Sequence, residues 1–351
     1  MSVSSWPERA RELADSVLFP AADSVDADGE IPSSHFEILA AEGFYGLASD
    51  RGEPLGSDEL PLVVETLCAG CLATTFTWMQ HNGVVMSLSH SSNTSLRTRY
   101  LDGVIDGSVK AGVAFAGAIP RPPKLYARRT DTGYVLDGHA PFVTGWGIVD
   151  ILQVSARDEF DDSIVHLVIP ATNAAGIEVE RLTLIAVDAS NTVRLLFDGV
   201  EVDDSQVVSV VTDEEFQSGQ IYGSYLNGCM AMGVARRAIT QMDDIGTDTS
   251  SFRRSHSQRR AAFDDALAGT YDMFAARAEA SELAMRAAAA LVTATGSGAI
   301  VGHGTPERLV REATFTLVGA GRPQIKAELL RTLQGDPAGR SGRWPSDEEW
   351  R

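Results

Sequence analysis

Along this chain the spacing of hydrophobic and polar positions changes twice. Up to about residue 105 it is helical. In Ser34–Gly43 apolar side chains fall at Phe36, Leu39 and Ala40 and the run stops at Gly43, a helical stripe with a glycine terminator. Residues 60–90 are apolar almost throughout and predict a helix buried on all faces. Near 110 the runs shorten. KAGVAFAGA, GYVLDG, ILQVSA, IVHLVI and TVRLLF are bounded by turn residues such as Asp131-Thr132-Gly133 and Asp161-Asp162-Ser163, and Val193, Leu195 and Phe197 alternate with polar or outward positions. These predict antiparallel strands in a sandwich or barrel, ending near Asp204. From about 214 the helical period returns. Residues 260–295 are alanine-rich with few breakers. Thr305-Pro306-Glu307 predicts another helix start, with Thr305 as N-cap and Pro306 at the first position.

The expected architecture is therefore α+β: an N-terminal helical domain over 1–109, a middle antiparallel β-barrel or sandwich over 110–213, a C-terminal helical bundle over 214–335 and a polar tail over 336–351. The strands are consecutive rather than interleaved with helices, and no G-x-G-x-x-G opens a helix after a strand. A Rossmann domain is not indicated.

Composition narrows the partners. The 351 residues carry 48 acidic and 29 basic side chains, a formal net charge of -19. Such a surface repels nucleic acid and anionic lipid, although Arg253, Arg254, Arg259 and Arg260 form a local basic cluster. Cys68 and Cys71 make a C-x-x-C in an apolar run. With no second pair or His pair, they read as small packing hydrophobes rather than metal ligands, and no metal is expected. The first residues lack the basic and apolar regions of a leader, and no window approaches 18 uninterrupted apolar residues. The expected compartment is the cytoplasm.

Four segments, in this order, carry a family resemblance. They are Ala40-Ala41-Glu42-Gly43-Phe44-Tyr45-Gly46-Leu47; Leu96-Arg97-Thr98-Arg99-Tyr100-Leu101 running on to Gly107; Gly133-Tyr134-Val135-Leu136-Asp137-Gly138 followed by Phe142-Val143-Thr144-Gly145; and Val193–Val202. Their order and spacing resemble the acyl-CoA dehydrogenase superfamily. The resemblance implies bound FAD, an acyl-CoA substrate such as a fatty-acyl or steroid side-chain thioester, an electron-transfer acceptor, and a homo-oligomer or a hetero-oligomer with a related subunit. It places the flavin ring against two strands, here Phe115-Ala116-Gly117-Ala118 and Phe142-Val143-Thr144, with the Thr144 hydroxyl near the ring. Read without the family, Phe115 and Phe142 are core residues.

The departures concern the chemistry. Removing an α proton while a hydride leaves the β carbon needs a carboxylate base. At the two positions where the family places it, this chain has Gly319 and Gly223, while Glu214 and Glu215 lie about two helical turns before Gly223. The family's arginine that reaches a neighbouring subunit's FAD falls near Arg253 and Arg254, which equally read as a solvated basic turn, and no Phe-Gly follows. Three readings stand: a dehydrogenase acting on the CH–CH group with a displaced base, a non-catalytic subunit of a hetero-oligomer, or a related flavin oxidase or monooxygenase.

Overall fold

The computed structural model describes residues 5–51, 55, 56 and 59–335, so the expected polar tail over 336–351 lies outside the described residues. Helices α1 (Trp6–Leu13), α2 (Phe19–Asp28), α3 (Ser33–Ala41), α4 (Glu59–Gly70), α5 (Leu72–His90) and α6 (Thr94–Asp106) come first. Eight strands follow: β1 (Ala111–Ala114), β2 (Leu125–Arg129), β3 (Gly133–Val143), β4 (Ile151–Asp158), β5 (Ile164–Pro170), β6 (Ile177–Arg181), β7 (Val193–Asp203) and β8 (Val207–Val211). Helices α7 (Asp213–Asp244), α8 (Ser250–Leu267), α9 (Met273–Thr295), α10 (Thr305–Val318) and α11 (Pro323–Leu333) complete the chain.

Local chemistry sets several boundaries. Asn93 caps α6 by accepting from the Leu96 N–H, and Gly107 ends it in the left-handed region at φ 78°. Thr212 and Glu215 form a reciprocal capping box that starts α7. The apolar run 60–90 is two helices, not one: Cys71 is extended at φ -146° and becomes the N-cap of α5. The break lets Gly70 meet the turn after α1, where a Cβ would lie 2.9 Å from the Leu18 Cβ. The alanine-rich stretch 260–295 is likewise interrupted, between Leu267 and Met273. Gly304, not Thr305, is the N-cap of α10; the Thr305 hydroxyl donates to Asp23 at 2.9 Å instead.

The strand order is β6-β7-β3-β2-β4-β5-β8, with β1 beside β4. Pairing is antiparallel except at β1–β4 and β2–β4, which are parallel. This corrects the all-antiparallel expectation. After β1 the chain loops out over residues 115–124 and returns as β2 along the same edge of β4, so no crossover helix is needed. Strand β4 shows why the sheet is buried on both faces. Leu152, Val154 and Ala156 join the core inside the sheet, while Ile151 joins Val84, Leu88, Leu101 and Val104 under α5 and α6.

The front and rear helices share one core, including Leu67, Leu72, Met230, Val234, Ala284 and Leu309. Gly233 of α7 faces α4 so closely that a Cβ would lie 2.6 Å from the Cys68 Cβ. Cys68, Cys71 and Cys229 are buried free thiols, and burial pushes all three up. Among the described residues one helix, Met273–Ile300, is long and apolar enough to cross a membrane by length and composition. Here it packs against α7, α8, α10 and α11, and Arg277 and Arg286 interrupt its apolar run.

A buried histidine, His81, and a half-buried one, His166, join layers. His81 Nε2 lies 2.8 Å from the Val104 carbonyl, and Nδ1 accepts from the Ala111 N–H at 3.0 Å, which selects the neutral ring. His166 lies 2.8 Å from the Ser155 hydroxyl. Desolvation holds both rings down, to about 4. The unfolded chain therefore takes up protons first as pH falls. The stability that the neutral rings contribute is complete above about pH 6.5 and is lost as pH falls toward 4, by roughly 2–3 kcal/mol per histidine. Urea unfolding between pH 7 and 4.5 should show this decline, and a His81→Gln/His166→Gln double variant should show a flatter one.

Candidate active site

Two segments of the sheet domain lie side by side. Phe115–Ala118 is not a strand but a turn, closed by the Ala118 N–H on the Phe115 carbonyl at 3.0 Å. Gly117 packs on β3, where a Cβ would lie 2.6 Å from the His139 carbonyl oxygen and 2.7 Å from the Leu125 Cβ. The second segment ends β3. Val143 and Thr144 are buried, but Phe142 is 65% exposed and stands at φ 57°, beside a register shift between Ala140 and Val143. A bulky residue in that region is strained, and an exposed aromatic ring held there is a sign of function. The Thr144 hydroxyl lies 3.1 Å from Thr192 Oγ1, which lies 2.9 Å from Ser190 Oγ. A Thr hydroxyl offers one donor and two acceptors, so this bond leaves capacity for a second partner.

A clamp that the sequence reading missed holds the 115–118 turn. Arg157, fully buried at the end of β4, donates from Nε to the Ala118 carbonyl at 2.7 Å and from Nη2 to Asp213 at 2.6 Å. Burial works against the charge on Asp213, but hydrogen bonds from Arg157 and Gln217 and the Arg121 charge outweigh it and hold the carboxyl below its usual range. Gln217, one turn along α7, accepts from Arg322 Nη1 at 3.0 Å. A polar chain thus runs from the turn in the sheet, across the first turns of α7, to the loop after α10.

That loop contains Gly319. Its carbonyl accepts from Arg277 at 3.3 Å, and the Thr316 carbonyl accepts from the same guanidinium at 2.8 Å. Arg277 is buried, has no carboxylate in ion-pair range among the described residues, and is pulled down to about 10 by desolvation. It helps satisfy the carbonyls at the end of α10, where Thr316 also accepts from the Ser281 hydroxyl at 2.9 Å. A Cβ on Gly319 would lie 2.9 Å from the Phe315 ring, and that ring packs edge-on against Phe76 of α5 at 5.1 Å. Phe76, Gln80, Gly83 and Ser87 form a half-open stripe along α5 from this contact. Gly223, on α7, has nothing within 4 Å of a built Cβ. Glu215 is committed to the Thr212 capping box and held below the usual carboxylate range by those hydrogen bonds. Glu214 is exposed on the same turn.

The first 5–108 residues match the model of the acyl-CoA dehydrogenase N-terminal domain. Benzylmalonyl-CoA dehydrogenase of Aromatoleum aromaticum is 26% identical over 241 residues, which take in 65% of this chain and 63% of that relative. The match therefore spans a little under two thirds of the curated relative's length. Among solved structures, PigA with FAD and proline superposes with a TM-score of 0.79 at 19% identity, over 95% of this chain and 99% of that one. The glutaryl-coenzyme A dehydrogenase glutaryl-CoA complex gives 0.77 at 17%, over 99% and 100%. The front helical domain is thus similar in sequence to the acyl-CoA dehydrogenase N-terminal domain, and the whole chain has the acyl-CoA dehydrogenase fold.

The placement of the other candidate residues is informative. Arg253 pairs with Asp243 and donates to Thr249 at 3.2 Å, and Arg254 is exposed beside it. Asp213, at the Arg157 clamp, lies at the opposite end of α7, about 45 Å away along a straight helix. One chain cannot bring Arg253 or Arg254 to its own Phe115 and Phe142 segments.

Replacing Arg157 with Met removes donors from a buried carbonyl and from Asp213. Arg157→Met should lower unfolding stability by about 2–3 kcal/mol, and Arg157→Lys should recover only part, since it cannot reach two acceptors with a rigid fork. Urea unfolding of the three proteins measures this.

Proposed function

We propose that this chain binds FAD against Phe115–Ala118 and Phe142–Thr144, receives an acyl-CoA thioester along the open stripe of α5, and works as a subunit whose own site lacks the base for α,β-dehydrogenation. The observation that carries this reading is the absence of a carboxylate at both base positions. Gly319 is backed by the Phe315 ring and Gly223 has no side chain at all.

The residues fit a flavin. Phe142 offers an exposed ring, Gly117 keeps the turn flat against β3, and Thr144 has unused hydrogen-bonding capacity. FAD, when bound, supplies the acceptor for the hydride that leaves the β carbon. The chain's own residues supply position. Arg157 fixes the 115–118 turn, Arg277 ties the loop after α10 to α9, and Arg322 ties it to α7. The solved neighbours with FAD and with glutaryl-CoA support this choice of ligand classes. Without a base, however, the α proton stays on the thioester, and such a group contributes about 10²–10⁴-fold in rate. A related subunit that carries the carboxylate in its own site fits this gap. The exposed Ile300, Val301 and Val318 beyond α9 and at the end of α10 support an assembly surface on the helical side, and Arg253 and Arg254 would then face the adenine end of a neighbour's FAD.

Two measurements test the reading. In a ferrocenium assay with straight-chain, branched and polycyclic acyl-CoAs, the native chain alone should stay near background. Gly223→Glu, which has room, should raise turnover at least about tenfold, whereas Gly319→Glu should not, because Phe315 stands in the way. Native turnover above about 1 s⁻¹ would overturn the proposal. Separately, Phe142→Gly exchanges backbone strain for chain entropy and should change apoprotein stability by less than about 1 kcal/mol, while flavin retention, read from the visible spectrum after gel filtration, drops sharply.

A further inference from the structure

Far from this site, α1 and the turn after it form a small open cleft with α4 and α7. Arg11, Asp15, Thr66, Arg236, Arg237 and Thr240 line it, and its volume is about 60 Å³. Arg236 lies 23 residues beyond Asp213 on α7, about 35 Å along the helix axis, so the cleft is separate from the candidate active site.

Its charge is anomalous for this chain. Acidic side chains outnumber basic ones 48 to 29, yet three guanidinium groups here meet one carboxylate. Arg237 is nine-tenths buried and fully committed. It donates to Asp15 at 2.6 Å and to the Ala69 carbonyl, and it lies 3.9 Å over the Phe19 ring. Asp15 is thereby taken. Arg236 is half-buried and donates to the Thr66 hydroxyl at 3.0 Å, a neutral partner. Among the described residues neither Arg236 nor Arg11 has an ion pair. Glu8, one turn from Arg11, is held in the Ser5 capping box. Burial, followed by the positive charge of Arg11, pulls the Arg236 guanidinium down against the attraction of Asp15. The floor is irregular backbone: Ala14–Leu18 is a π-helical turn, a device often found at functional sites, and it brings Asp15 beside α4 and α7. Like-charged guanidiniums gathered without a counter-ion destabilise the folded chain unless an anion joins them.

We propose that this cleft binds the dianionic phosphate group of a small molecule, with Arg236 and Arg11 as its charged donors, Arg237 as a fixed wall and Thr66 and Thr240 as hydroxyl partners. A phosphate matches the site in charge, about -1.5 to -2 at neutral pH, and in its several acceptor oxygens. Free phosphate and the monoester of a nucleotide share this chemistry, and the probes below separate them.

The test uses the full chain, with inorganic phosphate and adenosine monophosphate as probes. Ionic strength is held constant with sodium chloride, and acetate serves as the monoanion control. Calorimetry should show one saturable site per chain, with thermal stability rising along the same curve. Equal affinity for the two probes assigns free phosphate; tighter binding of the monophosphate assigns a nucleotide. Arg236→Gln and the exposed Arg11→Gln should each weaken binding about tenfold, while Arg128→Gln on β2 should not. Without phosphate, Arg236→Gln should melt at the native temperature or above it, since it relieves repulsion. A purely structural arginine would lower the melting temperature. The proposal fails if phosphate does no more than chloride or acetate, if both cleft variants bind it as the native chain does, or if Arg236→Gln melts lower and still binds.

Discussion

A buried guanidinium, Arg157, ties the sheet to the start of the rear helices. Arg157 spends its donors on the Ala118 carbonyl, the 157–162 turn and Asp213. A buried cation of this kind is tolerated only where its donors are met, and removing either partner leaves an uncompensated charge. Because Asp213 begins α7 and Gln217 receives Arg322, the position of one side chain on β4 is passed to the loop after α10. The two halves of the candidate site are tied by this chain of contacts, while Val187 and Ala189 join the apolar core of the helices.

Around that frame the two positions proposed for a base, Gly319 and Gly223, carry no acid. The space that a glutamate on Gly319 would enter is backed by Phe315, whose ring packs on Phe76. Arg277 braces the same loop from beneath without a carboxylate of its own. On the proposed reading the fold keeps a cofactor cradle without the group that starts the reaction, because the cradle is built from backbone and packing and the base is a single side chain.

Much of the architecture was legible from periodicity. The shift from a helical to an alternating pattern near 110, and back near 214, marks where the chain enters and leaves the sheet, since β1 begins at Ala111 and α7 at Asp213. Gly319 and Gly223 could also be read directly, because the absence of a side chain is a property of the residue. The breaks at Cys71 and after Leu267 were not legible. Both interrupt apolar runs whose composition favours helix throughout, and the first is imposed by close packing of Gly70 on the turn after α1.

The tertiary structure alone decided the rest. Phe115–Ala118 reads as a strand but is a turn, because Gly117 must pass within contact of β3 and the chain must re-enter the same edge of β4. Phe142 reads as core but is exposed, because a register shift in β3 turns it outward. Arg157 looks like the polar end of a strand; its partners lie 39 and 56 residues away in sequence. Local patterning reports the face a residue presents to its own element. Which distant group meets that face depends on how the layers close, and no window of the sequence contains both partners.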